Sequence, residues 1–169
     1  ADASLVSEVA AAASFATSRS SGGNESGELP LSAKLTTVVS AQQPLPDSWS
    51  MDTEAVTYYV RLGEPAAQSL ETMVANMQLA GLNPVVVSGY RSYNTQSELF
   101  NAQVAALESQ GAGDQQAQAQ AAQLVEQPGT SEHESGLAVD IVAQSVSLAD
   151  GLSSSLTDQI AQTPESQWL

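Results

Sequence analysis

The stretch Gly129-Thr130-Ser131-Glu132-His133-Glu134-Ser135-Gly136-Leu137-Ala138-Val139-Asp140 runs from a polar loop through a glycine into an apolar segment. With Ile141-Val142 following, residues 137–142 predict a strand carrying one acidic intruder, Asp140. A carboxylate on a buried strand is costly to desolvate unless a cation or metal compensates it. Gly136 allows the chain to turn so that the His133 imidazole and the Asp140 carboxylate converge on one ion. Imidazole plus carboxylate suits Zn²⁺, with further positions left for another ligand and a water. A lone histidine is equally at home as a hydrogen-bonded polar residue, and the spacing alone leaves both readings open.

Upstream, Pro84-Val85-Val86-Val87 is a short apolar strand that leads into Ser88-Gly89-Tyr90-Arg91-Ser92-Tyr93-Asn94-Thr95-Gln96. Arg91 stands out in a chain with only 4 Lys+Arg. Between a strand end and a helix start, its fork of N–H donors can meet a carboxylate or an oxyanion. The plainer reading pairs it with one of the 19 Asp+Glu.

The rest of the chain alternates helix and strand signals. Glu64-Pro65 opens a helix, Leu70, Met73, Val74 and Met77 fall on one face, and Gly81 stops it. A second helix starts near Asn94, with Leu99, Val104 and Leu107 inward, and stops at Gly111. Asp114 is expected to cap an Ala/Gln-rich helix reaching about Glu126, broken by Pro128-Gly129. Leu35-Thr36-Thr37-Val38-Val39 is β-rich, and residues 56–62 predict a short strand or an irregular stretch. Thr163-Pro164-Glu165 reads as a helix start with a cap, a proline and an acid in the first turn. Residues 1–28 differ in texture: an Ala-rich segment and a Ser/Gly tract predict a low-complexity tether before one domain at 29–169.

Composition excludes several functions. A formal net charge of −15 leaves too few cations to neutralise a run of phosphates, so nucleic acid is excluded, and docking on an anionic membrane is disfavoured. No apolar run approaches a membrane span. The absence of cysteine removes disulfides, thiolate nucleophiles and Cys-ligated metals. His133 is the only histidine, so all imidazole chemistry must pass through it.

Together the two segments, SGYRSxxxQ and SxHxxGxAxD, resemble the zinc D-alanyl-D-alanine carboxypeptidase family, near its VanY-type and LD-carboxypeptidase-like members. The flanks agree in the Leu45-Pro46 stretch, in Pro128-Gly129-Thr130 and in the closing Thr163-Pro164-Glu165-Ser166-Gln167-Trp168-Leu169. The resemblance spans roughly residues 35–169. It implies an α+β fold with helices packed on a small, mainly antiparallel sheet, a hedgehog-like zinc-peptidase architecture. It makes His133 and Asp140 two of three zinc ligands. Arg91 becomes the catalytic cation that binds the substrate's terminal carboxylate or the oxyanion, and Gln96 and Ser131 become polar contacts to substrate. Glu132 and Glu134 flank a ligand and are expected to be solvated.

The implied reaction is zinc-dependent removal of the terminal D-alanine from peptidoglycan stem peptides, outside the cytoplasmic membrane by an exported protein. The family's third ligand, a histidine, and its general base, a glutamate, lie in a Glu-x-Trp-His segment that this sequence lacks. The chain is therefore expected to be part of a longer enzyme, inactive alone and partnered by its missing C-terminal segment. The rival readings are a non-catalytic wall-peptide-binding module, and an endopeptidase or dipeptidase of the same superfamily.

Overall fold

The computed structural model describes residues 29–146 and 159–169; the expected tether at 1–28 lies outside them. In chain order the elements are α1 (Leu31–Lys34), β1 (Thr53–Ala55), β2 (Arg61–Gly63), α2 (Glu64–Leu79), β3 (Pro84–Ser88), α3 (Tyr93–Ser109) and α4 (Asp114–Ala121). A 3₁₀ turn (Glu132–Ser135), β4 (Asp140–Ala143) and α5 (Pro164–Trp168) complete them. The described residues divide into two compact units, one holding 52–90 with 136–146 and 159–169, the other 29–51 with 91–135.

The first unit is built on two antiparallel ribbons and a long helix. β1 pairs with β2, setting Glu54 opposite Leu62. Thr57 closes the intervening turn, its Oγ1 accepting from the N–H groups of Tyr59 and Val60. Residues 56–62 are therefore a tight turn running into a strand. α2 follows at once, with Pro65 in its first turn, where a missing N–H is harmless. Its Ala66, Ala67, Leu70 and Met77 are buried and Met73 and Val74 pack beside them, the face that periodicity predicts.

β3 and β4 pair antiparallel with Val85 opposite Val142 and Val86 opposite Ile141. A bulge between Val86 and Ser88 then sets Ser88 opposite Asp140, and such a kink re-aims the side chains at a strand end. The predicted strand over 137–142 is shorter at its start, since the ladder begins only at Asp140. Leu62, Ala66, Ala67, Leu70, Val139 and Ile141 form the main core of this unit, and Val142 packs with Ile160 in a second cluster. Thr163 caps α5 as the sequence indicates, its Oγ1 accepting from Ser166 N–H at 3.2 Å. The buried Glu165 accepts from Asn83 N–H at 2.9 Å, tying α5 to the turn before β3.

The second unit is helical, and much of what it buries is polar. α3 packs with α4 through the fully buried Ala117 and Ala121. The inward face of α3 runs Gln96, Phe100, Val104, Leu107, and only Gln96 is fully enclosed. Leu99, expected inward, lies one residue out of phase with that row and is 44% exposed. α4 ends at Ala121, earlier than its composition suggests, and Gly113 rather than Asp114 occupies the cap position. The following turn tightens as Leu124 and Val125 N–H both reach the Ala121 carbonyl. Residues 35–39 are not a strand. The hydroxyls of Thr36 and Thr37 bond back to the Ala33 carbonyl and satisfy the end of α1, where a ladder would have left them idle.

The class is thus α+β, with α2 packed against strands of its own unit. In place of the one small sheet expected, the described residues carry two two-stranded antiparallel sheets.

Candidate active site

Arg91 enters the second unit just ahead of α3. Ser92 caps that helix, its Oγ accepting from Thr95 N–H at 3.1 Å, which fixes the phase in which Gln96 turns inward. The Gln96 carboxamide is fully buried and bridges two groups. Its Oε1 accepts from Arg91 Nη1 at 3.0 Å, and its Nε2 donates to the Glu126 carbonyl at 2.7 Å. The Arg91 backbone N–H in turn donates to the His133 carbonyl at 3.1 Å. The start of α3 and the 3₁₀ turn that carries His133 are therefore stitched together.

The turn itself is held from inside. Gly129 takes φ +85°, a left-handed conformation that a side chain would strain, and its carbonyl accepts from Leu45 N–H at 2.8 Å. Glu134 is buried, contrary to the expectation that it would be solvated. Its carboxylate accepts from Gly129 N–H at 3.1 and 2.9 Å on its two oxygens, and from Ser131 N–H at 3.3 Å. Burial pushes this carboxyl above the ordinary carboxylate value, against the pull of the Ser131 and Gly129 amides; the charge of Glu126 adds to the rise and that of Arg91 opposes it. Glu132, by contrast, is only half-buried.

Ser131 is fully enclosed, and its Oγ, like Trp49 Nε1, is a buried polar atom without a hydrogen-bond partner among the described residues. His133 is buried in the same turn. Asp140 belongs to the other unit, where it opens β4 half-buried and opposite Ser88. Gly136, at φ +80°, leads from the turn toward that strand, and its carbonyl accepts from Gly63 N–H at 2.8 Å.

Four of the sequence-predicted residues, Arg91, Gln96, Ser131 and His133, thus fall in one unit, and the first two are in direct contact. The imidazole and carboxylate are the nitrogen and oxygen donors that zinc accepts. Among the described residues no three His, Asp or Glu side chains gather into a group able to hold a metal. Glu134 is the residue that sequence reasoning missed. The signal was present, since Ser131-x-x-Glu134 has the spacing of a capping box at the start of a helical turn.

Comparison with known proteins bears on the whole region. The family model described as VanY, D-alanyl-D-alanine carboxypeptidase, matches residues 60–169. A D-alanyl-D-alanine carboxypeptidase of Enterococcus faecalis (strain ATCC 700802 / V583) is 34% identical over 109 residues, which take in 64% of this chain and 41% of that protein. The chain thus spans about two fifths of that curated relative. Among solved structures, VanYB in complex with D-alanine-D-alanine superposes with a TM-score of 0.58 at 34% identity, covering 65% of this chain and 61% of its own. A VanY D,D-pentapeptidase mutant from a VanB-type resistance cassette, in complex with Zn(II), gives a TM-score of 0.58 at 34% identity over 65% and 62%.

Proposed function

This chain belongs to the VanY D-alanyl-D-alanine carboxypeptidase family, and from that premise we propose that it forms the substrate-anchoring part of a zinc carboxypeptidase. The substrate is a peptidoglycan stem peptide ending in D-alanine, met outside the cytoplasmic membrane. The observation that carries the reading is Arg91, one of 4 Lys+Arg, held by the buried Gln96 carboxamide at 3.0 Å. An oriented guanidinium is what an anionic peptide terminus requires.

In this reading Arg91 binds the terminal carboxylate or the oxyanion that develops on the scissile carbonyl. Gln96 serves the substrate by keeping the Arg91 fork oriented, and Ser131 donates its hydroxyl to a substrate oxygen. His133 and Asp140 hold the zinc, and their donor types fit it. Bound zinc supplies Lewis-acid polarisation of the carbonyl and a water whose pKa falls to about 7. With one histidine in the chain, a three-ligand site needs a donor beyond these two residues, and so does the general base. That inventory also favours a second reading for these residues taken alone: capture of D-alanine-ended peptides without cleavage.

The test is incubation of this chain with zinc and a D-Ala-D-Ala-ended muropeptide, with free D-alanine and bound peptide both measured. Binding without release is expected, and release on adding a segment that brings a histidine and a glutamate. D-Alanine released by this chain alone would overturn the two-ligand assignment. No binding would overturn the substrate class.

A further inference from the structure

In a complete capping box the Ser hydroxyl accepts from the backbone N–H three residues on, while the Glu carboxylate there reaches back to the Ser N–H. Only half of that exchange is made at residues 131–134. Ser131 N–H donates to Glu134 Oε2 at 3.3 Å, but Glu134 N–H donates to the Ser131 carbonyl at 3.0 Å rather than to its hydroxyl. The same carboxylate also takes the Gly129 N–H on both oxygens. The Ser131 Oγ is left fully buried with no partner among the described residues, a destabilising arrangement unless something else accepts from it.

We infer that Glu134 is a positioning residue: by taking over the capping of the 129–134 turn it keeps the Ser131 hydroxyl uncommitted for an acceptor oxygen of the D-alanine-ended peptide. This rests on the substrate reading above. A neutral hydroxyl in the turn whose His133 carbonyl holds the Arg91 N–H can donate to a carboxylate or carbonyl oxygen and gives a cation nothing to bind but an oxygen lone pair. The three contacts from Gly129 and Ser131 N–H to the Glu134 carboxylate fix the backbone of the turn, so the position of the hydroxyl is set before the peptide arrives, and only the groups that enclose it have to give way.

The test is NMR titration of this chain, in the presence of zinc, with the dipeptide D-Ala-D-Ala. S131A is expected to weaken binding about tenfold, and E134L by a similar factor. The double variant should bind no more weakly than E134L alone, because the hydroxyl is already misplaced. E134Q, whose amide oxygen can still accept from both N–H groups, should restore affinity to within about threefold of wild type. E134D, one methylene too short to reach both, should lose it, and serves where E134L does not fold. A loss in the double variant equal to the product of the single losses, or wild-type affinity in E134L or E134D, would overturn the inference alone. No binding to the wild-type chain would overturn the substrate reading, and this inference with it.

Discussion

Arg91 Nη1 donates to Gln96 Oε1 at 3.0 Å, while Gln96 Nε2 donates to the Glu126 carbonyl at 2.7 Å. One buried carboxamide thus satisfies a guanidinium and a loop carbonyl together. Gln96→Leu removes both bonds and leaves the carbonyl unpaired. The expected cost is about 1–3 kcal/mol, read by urea denaturation. Gln96→Glu keeps the acceptor for Arg91 but sets a carboxylate oxygen against a carbonyl, so it should not restore wild-type stability. Wild-type denaturation of Gln96→Leu would show that the bridge contributes nothing.

Gly89 sits where no side chain fits. A Cβ there would stand 2.5 Å from the Arg61 carbonyl oxygen and 2.6 Å from Val60 Cγ1. The same carbonyl accepts from Tyr90 N–H at 2.7 Å, so it cannot retreat without breaking that bond. Gly89→Ala is expected to destabilise by about 1–3 kcal/mol through overpacking, seen as a lower denaturation midpoint. An unchanged midpoint would mean that the β2 backbone yields at no cost.

Ser92 caps α3 one turn before Gln96, and Gln96 N–H bonds the Ser92 carbonyl at 2.9 Å. Ser92→Ala should cost about 1 kcal/mol and speed amide exchange in the first turn of α3, whereas Ser92→Asp should preserve both. Exchange unchanged in Ser92→Ala would assign the start of α3 to tertiary packing instead.

The parts of the fold that rest on period and punctuation were legible in the sequence. The α2 face, the β3 strand and the Thr163 cap each follow from residues adjacent in the chain. Misreadings arose where a polar group overrode pattern. Leu99 reads as inward by hydrophobicity, yet the phase of α3 is set by Ser92 at its start and by the two hydrogen bonds of the Gln96 carboxamide. Thr36 and Thr37 have strand propensity, but their hydroxyls found carbonyls in the preceding turn. Glu134 reads as a surface acid because a charged residue is seldom enclosed, and the two amides of its own turn, with the charge of Arg91, make the enclosure tolerable. The split between units at 135/136 had no sequence signature beyond Gly136.

The proposed roles of His133, Asp140 and Arg91 separate cleanly in binding measurements. His133→Ala and Asp140→Asn each remove a metal donor, so zinc affinity by calorimetry should fall about tenfold or more in either variant. Arg91→Lys leaves both donors in place and should hold zinc as the wild type does. It replaces a planar fork by a point charge, however, and forfeits the geometry that Gln96 Oε1 imposes at 3.0 Å. D-Ala-D-Ala affinity should therefore fall about tenfold in Arg91→Lys, and chelating the zinc should weaken peptide binding further in the wild type. Zinc affinity lost in Arg91→Lys, or peptide affinity unchanged by it, would contradict this division of labour, because the first result would tie the guanidinium to the metal and the second would detach it from the anionic end of the peptide.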